Sequence, residues 1–210
     1  MIETATGIIL RTRPLTDTSL IIHWLTPEFG RIATVAKGAR RPKSPFAGKL
    51  DLFYLADLSF QRSRRSELHA LREVVLRETH AAIRSDMDYL RPASYAAALI
   101  EQTTELETPI AEIYNLFKTF LAQLTRHPPQ PQTLFAFEVK LLSELGLQPD
   151  MDKERLTPDL KQIMRILLVG NWDALSRLKL TPPQVTGLRR FLRNFLRYEF
   201  GKLPKAGDKL

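Results

Sequence analysis

Two kinds of apolar periodicity divide the chain. Up to about residue 79, apolar positions alternate with polar ones in short runs: Thr6 to Thr12, with Ile8 and Leu10 on one face; Leu20 to Leu25; Ile32 to Ala36; Leu52 to Phe60; and Leu68 to Leu76. Period-two runs bounded by turn residues predict strands, and Pro27-Glu28-Phe29-Gly30 predicts a turn. In the second run Leu20, Ile22 and Trp24 alternate against Ile21, His23 and Leu25, so both faces are partly apolar. Five short strands with one long loop between the third and fourth fit a small closed barrel of the OB type, with a sandwich fragment as the competing arrangement.

From residue 80 the period becomes helical. Pro92 is expected in the first turn of a helix carrying Tyr95, Leu99 and Leu106. Thr108-Pro109 is expected to open a second helix, with Thr108 as its N-cap. Thr133 to Leu145 reads as a third, with Gly146 suited to its C-terminal end. Thr157-Pro158 and Thr181-Pro182-Pro183-Gln184 read as two further starts, the latter with capping-box spacing. The fold class expected is therefore α+β: a five-stranded barrel over residues 1–79 and an all-helical domain over 80–210.

Composition narrows the chemistry. The chain has 210 residues, 44% hydrophobic and 26% charged, as in ordinary globular proteins. It contains no run of about 18 apolar residues, so no membrane span is expected, and its first residues do not read as a signal peptide. Cysteine is absent, which excludes disulfides and thiolate-bound zinc. A cytoplasmic setting follows as an expectation. The four histidines (His23, His69, His80, His127) lack metal-ligand spacing, and no Gly-rich phosphate loop is present. Glu138-Val139-Lys140 resembles the tail of a nuclease signature without an upstream acidic partner. Asp150, Asp152 and Glu154 offer the carboxylates of a metal site, but read better as polar residues of a loop leading into a helix. No catalytic residue and no cofactor is expected.

The net charge is +8 and it is unevenly spread: +5 over residues 1–80, −4 over 81–150 and +7 over 151–210. A basic chain favours polyanionic partners. Between Arg31 and Lys49 there are six basic residues and no acidic one. Arg31, Lys37, Arg40, Arg41, Lys43 and Lys49 are thus candidate phosphate contacts on a mobile loop, because guanidinium groups fork onto phosphate oxygens and lysines add point charge. Arg62, Arg64 and Arg65 form a second cluster that would extend this patch if the two loops were neighbours. Phe46, inside the basic loop, is the one aromatic expected to be open to base stacking; Phe53, Tyr54 and Phe60 are expected in the core. In the last helix Leu188, Phe191, Leu192, Phe195 and Leu196 make one face, and Arg189, Arg190, Arg193 and Arg197 the other, followed by Lys202 and Lys205. That cationic face suits a second DNA contact, a groove for an acidic peptide, or simply a solvated surface; a membrane-surface helix is disfavoured because the neighbouring helices need its apolar face.

The order of these features resembles the RecO family of bacterial DNA repair proteins. The likeness runs through Gly7-Ile8-Ile9-Leu10-Arg11-Thr12-Arg13, Thr16-Asp17-Thr18-Ser19-Leu20-Ile21-Ile22, Leu25-Thr26-Pro27-Glu28-Phe29-Gly30-Arg31 and Val35-Ala36-Lys37-Gly38-Ala39-Arg40-Arg41-Pro42-Lys43-Ser44, then the helix ending Leu-Leu-Ser-Glu-Leu-Gly at Gly146, and Tyr198-Glu199-Phe200-Gly201-Lys202-Leu203-Pro204-Lys205. The resemblance implies an N-terminal OB-fold and a helical C-terminal domain. It also implies binding of single- and double-stranded DNA, strand annealing and recombination mediation, with RecR, the acidic tail of single-strand-binding protein and, indirectly, RecA as partners, in a nucleoid-associated cytoplasmic protein without enzymatic turnover. Two departures stand out. Many members carry a four-cysteine zinc module where Gly146 to Asp152 runs straight on here, and Leu50-Asp51-Leu52-Phe53 replaces a polar residue and Pro before Phe.

Overall fold

The computed structural model describes residues 1–151, 154 and 156–204; Asp152 and Lys205 lie outside the described residues. Five strands, β1 (Ile2–Pro14), β2 (Leu20–Thr26), β3 (Gly30–Ala36), β4 (Leu55–Gln61) and β5 (Leu68–Glu78), close into a barrel in the order β1-β2-β3-β5-β4. All neighbours are antiparallel except β3 and β5, which run parallel from Ala33 opposite Leu68. The long first strand makes closure possible: its first half pairs with β4 and its second with β2, with an irregularity between Ile9 and Arg11 where it bends.

The barrel interior holds Ile9, Ile22, Trp24, Ile32, Leu58, Phe60, Leu71 and Val74. The indole N–H of Trp24 donates to Thr34 Oγ1 at 2.9 Å, so the one polar atom of this fully buried ring is satisfied. Gly7 sits where this ring crosses β1; a Cβ there would lie 3.1–3.3 Å from Thr26, Trp24 and Leu58.

Seven helices follow among the described residues: α1 (Ala81–Ser85), α2 (Met87–Thr103), α3 (Ala111–Arg126), α4 (Pro131–Glu144), α5 (Pro158–Val169), α6 (Trp172–Ser176) and α7 (Pro182–Phe200). α4 is buried on nearly every side. Its Phe137, Leu141 and Leu142 join a core shared with α2 and α3, while Phe135, Ala136 and Val139 join a second core with α5, α6 and α7. It ends in a Schellman motif, with Gly146 at φ 71, Gly146 N bonded to Ser143 O at 3.0 Å and Leu147 N to Leu142 O at 2.8 Å. Gln184 Oε1 accepts from Thr181 N–H at 2.9 Å, one half of the capping box expected for α7.

Two expected helix starts are corrected. α2 begins at Met87, where Asp86 caps it by accepting from Asp88 N at 2.9 Å; Pro92 lies inside the helix rather than in its first turn, and Leu106 lies beyond it. α3 begins at Ala111, not at Thr108, because residues 104–108 are used to hold the barrel. Glu107, at φ 54, donates its N–H to Arg31 O at 2.9 Å, and Thr108 Oγ1 donates to Leu106 O instead of capping. Opposite this segment Gly30 takes φ 61 and lies so near that a Cβ would come within 1.8 Å of Thr108 O.

Packing crosses the change of secondary structure at residue 79. Ile8, Leu10, Leu25, Phe53 and Leu55, on the outer side of the barrel, belong to the same cluster as Ile83, Tyr95, Leu99, Ile113, Phe117 and Phe120. This explains why β2 is apolar on both faces: Trp24 fills the barrel and Leu25 meets the helices.

Candidate nucleic-acid interface

The segment between β3 and β4 is not the loose loop its Gly and Pro content suggests. Its backbone forms a staircase of turns: Ala39 N to Ala36 O (3.3 Å), Arg41 N to Gly38 O (3.0 Å), Ser44 N to Arg41 O (3.0 Å), Ala47 N to Ser44 O (3.1 Å) and Lys49 N to Phe46 O (3.0 Å). Gly38 and Gly48 supply two positive-φ positions, and Phe53, at φ 64, is a third just before β4. Arg40 N–H donates to Thr18 O at 3.0 Å, fixing the staircase to the loop between β1 and β2. Phe46 is 7% exposed and packs into the barrel core, so the expectation that it stacks on bases is corrected: it staples the loop down. Phe53 and Phe60 are buried as expected, and Tyr54 is half-buried under the Arg84 guanidinium, 4.5 Å from its ring centre. On this frame Lys37, Arg40, Arg41 and Lys43 are exposed and Lys49 is half-exposed, and among the described residues none of the five is paired with a carboxylate. Cations held on a rigid backbone lose less freedom when they meet phosphate.

Arg31 and Arg62 are placed differently. Arg31 is half-buried, with Nε donating to Thr104 Oγ1 at 2.8 Å and Nη2 to Thr104 O, so it clamps the barrel to the end of α2. Arg62 donates to Glu107 and lies 3.6 Å from Glu3; the Glu107 carboxylate raises its pKa above the ordinary value. The same Glu107 sits 3.2 Å from Nε2 of buried His69, whose ring stacks on Phe60 at 5.3 Å. Burial lowers the His69 pKa. Ser63 N–H donates to its Nδ1 at 3.4 Å, which leaves the proton of a neutral ring on Nε2, facing the carboxylate. Arg64 and Arg65 are exposed.

The two basic loops are not neighbours. Since β3 and β5 run parallel, with Ala33 beside Leu68, residues 62–67 stand at the Gly30 end of β3 and Lys37 leaves from the other end. Between them, on the outer face, lies a cluster that charge counting along the sequence missed. Arg11 Nη2 is 3.1 Å from Glu101, Arg13 Nη2 is 3.4 Å from His23 Nε2, and His23 Nδ1 is 3.9 Å from Glu101. His23 is held down to about 4, first by burial and then by Arg11, Arg13 and Arg31, so it is neutral at pH 7. Arg11, Arg13 and His23 line a cleft of about 480 Å³ with Arg31, Ala33, Leu68 and Leu106. The alternation of Arg11 and Arg13 along β1 was the available signal, but the bulge before Arg11 conceals their register with His23.

α7 divides its cations. Leu188, Leu192 and Leu196 are buried, and Arg190, Arg197 and Lys202 are exposed. Arg189 and Arg193 line a cleft of about 490 Å³ with Tyr89, Pro92, Tyr95, Pro128, Pro129, Leu134 and Glu138. Glu138 is buried and accepts from the Tyr95 hydroxyl at 2.7 Å; burial pushes its carboxyl up to about 7, against that hydrogen bond and the two arginines. Lys140 instead donates to Leu168 O at 2.5 Å, so the Glu-Val-Lys triplet serves two separate packing roles. Among the described residues no cluster of three or more His, Asp or Glu could hold a metal, and no helix is long and apolar enough to cross a membrane.

Residues 1–80 match the model for the N-terminal part of recombination protein O, and residues 84–157 match the model for its C-terminal part. The chain belongs to the RecO family. DNA repair protein RecO of Anaeromyxobacter dehalogenans is 31% identical over 147 residues, covering 70% of this chain and 58% of that protein. The namesake proteins of Syntrophus aciditrophicus (28% over 169 residues; 78% of this chain, 65% of the relative) and Listeria monocytogenes serotype 4b (32% over 152 residues; 72% and 58%) are also similar. The chain thus spans about 58% of the length of the first of these curated relatives. For this RecO-family chain the fold agrees with the expectation of a five-stranded closed barrel followed by helices.

Proposed function

We propose that this chain is a DNA-binding recombination mediator of the cytoplasm, associated with the nucleoid. It binds single- and double-stranded DNA, anneals complementary strands and helps load RecA on DNA coated with single-strand-binding protein, in concert with RecR and without turnover of its own. The observation that carries this reading is the rigid staircase presenting Lys37, Arg40, Arg41, Lys43 and Lys49 with no competing carboxylate among the described residues. Two strands repel one another; cations fixed on one frame neutralise both and let bases meet. If these five cations neutralise about five phosphates of single-stranded DNA, log K falls against log salt with a slope of roughly −3.5. Annealing of complementary strands coated with single-strand-binding protein, with and without the chain, tests the function directly. Arg40→Glu with Arg41→Glu should weaken binding irrespective of sequence, and unchanged binding would move the site elsewhere.

A second reading, an adaptor that recognises an acidic peptide, is favoured by the cleft beside α7. Two arginines over a floor of Pro128, Pro129, Tyr89 and Leu134 suit a peptide that ends in carboxylates and apolar side chains, such as the tail of single-strand-binding protein. Tight binding of such a peptide, lost on Arg189→Glu while DNA binding persists, would establish this role; DNA binding that proves dispensable for repair would make it the main one.

A further inference from the structure

The cleft between α2, α4 and α7 holds a carboxyl where a simple anion site would avoid one. Glu138 is 7% exposed and Tyr95 3%, yet both belong to its lining, beside Arg189 and Arg193. Burial opposes ionisation of Glu138, while the Tyr95 hydroxyl and the two arginines favour it. These opposing influences leave the carboxyl at about 7, so its charge changes near neutrality. The Tyr95 hydroxyl donates to Glu138 Oε1 at 2.7 Å. A protonated carboxyl keeps one bare oxygen, so Tyr95 fixes the position of the group without fixing its charge.

That charge matters because the cleft is otherwise balanced. Arg189 and Arg193 come from α7, and Asp86 and Asp88 from the start of α2. The connector between α3 and α4 contributes Pro128, Pro129, Gln130 and Pro131, none of them charged. Glu138 therefore decides the sign of the lining, neutral overall with its proton and negative without it.

We propose that Glu138 is a proton-operated gate on this cleft: protonated, it leaves Arg189 and Arg193 to the carboxylates of an acidic peptide, and ionised, it takes the ligand's place beside them. The inference rests on the peptide-binding reading above and adds to it a regulating residue. Like charges disfavour one another, so a bound acidic peptide raises the pKa of Glu138 above its free value. The complex then takes up a proton that the free protein lacks, and binding becomes linked to pH. Lower pH favours the peptide and higher pH releases it.

The test uses the full chain and a synthetic peptide, a short run of aspartates followed by leucine and phenylalanine and acetylated at its N-terminus. Its own carboxylates stay ionised from about pH 6 to about pH 8.5. If the bound peptide raises the Glu138 pKa by about one unit, wild-type affinity should fall about sevenfold across that range. Calorimetry at about pH 7 in two buffers of different ionisation enthalpy should then show uptake of about 0.4 proton per peptide, a readout that a merely structural Glu138 would not move. Glu138→Gln keeps an acceptor for Tyr95 and should lose both the fall and the uptake. His127, next to Pro128 in sequence, is retained in the variant, so subtracting the two profiles removes its share. The wild-type uptake needs no variant and decides the matter even if Glu138→Gln fails to fold. A wild type that binds the peptide without taking up a proton overturns the gate, as does a folded variant with an unchanged profile. If the peptide is still bound in that case, and lost in Arg189→Glu, the peptide-binding reading stands alone. A wild-type chain that binds no such peptide at any of these pH values overturns both.

Discussion

Glu138 offers a direct reading of what it costs to keep a carboxyl between α2, α4 and α7. Its pKa rises from 4.5 to about 7 on folding because burial outweighs the Tyr95 hydrogen bond and the attraction of Arg189 and Arg193. The folded chain therefore keeps a proton that the unfolded chain releases between these two values. By linkage, stability attributable to this group is complete below about pH 4.5, falls as pH rises, and reaches its full loss above about pH 7. At about 1.4 kcal/mol per tenfold, the loss is about 3 kcal/mol. Glu138→Gln retains an acceptor for the Tyr95 hydroxyl and never ionises. We expect the stability of this variant relative to wild type to climb by about 3 kcal/mol between pH 4.5 and pH 8, measured by urea unfolding followed through the fluorescence of Trp24 and Trp172. Subtracting the two curves removes the contribution of every other titrating group. A difference that stays flat across that range would refute the argument that burial controls this carboxyl.

Other expectations follow from single contacts. Gly30→Ala drives a Cβ into Thr108 O at a positive φ, and we expect a loss of about 2–4 kcal/mol and a Tm about 5–10 °C lower; an unchanged melting curve would show that this contact is not tight. Phe46→Ala should cost about 3–5 kcal/mol as a core truncation, whereas a stacking role would show itself as weaker oligonucleotide binding at unaltered stability. Arg62→Ala should leave DNA affinity within about twofold, because Glu107 and Glu3 already occupy the side chain, and stability within about 1 kcal/mol, as for other solvent-screened pairs. A loss equal to that of Arg64→Ala would return Arg62 to the phosphate contacts.

The strands were legible because their alternation is set by a barrel that must be apolar inside, and the helix starts at Thr157 and Thr181 because Pro follows a capping residue there. Closure was not legible. It depends on β3 meeting β5, some 35 positions apart, and on the first residues of β1, whose side chains are largely polar although their backbone pairs with β4. The early helix starts failed where the chain must also brace the barrel. Thr108 would cap a helix in isolation, but its carbonyl is pressed against Gly30. Charge alone located the staircase, yet it treated all arginines as equal. Whether a guanidinium is engaged inside the protein depends on partners distant in sequence, Thr104 for Arg31 and Glu107 for Arg62. Phe46 was misread because its basic neighbours suggested solvent, although it is the only large apolar side chain between Ala39 and Lys49 and so the natural anchor.

The core that runs from Ile8, Leu10 and Leu25 into Phe117 and Tyr95 has a practical consequence for dissecting this protein. A gene fragment ending near residue 79 would encode all five strands yet leave a greasy flank bare, and its counterpart would lack the wall against which α2 and α3 are set. Neither piece should be soluble and monomeric when expressed singly. Assigning DNA and peptide binding to separate halves therefore calls for point substitutions in the intact chain, and a mutation scored as defective for one ligand must be shown to leave the other ligand's affinity untouched.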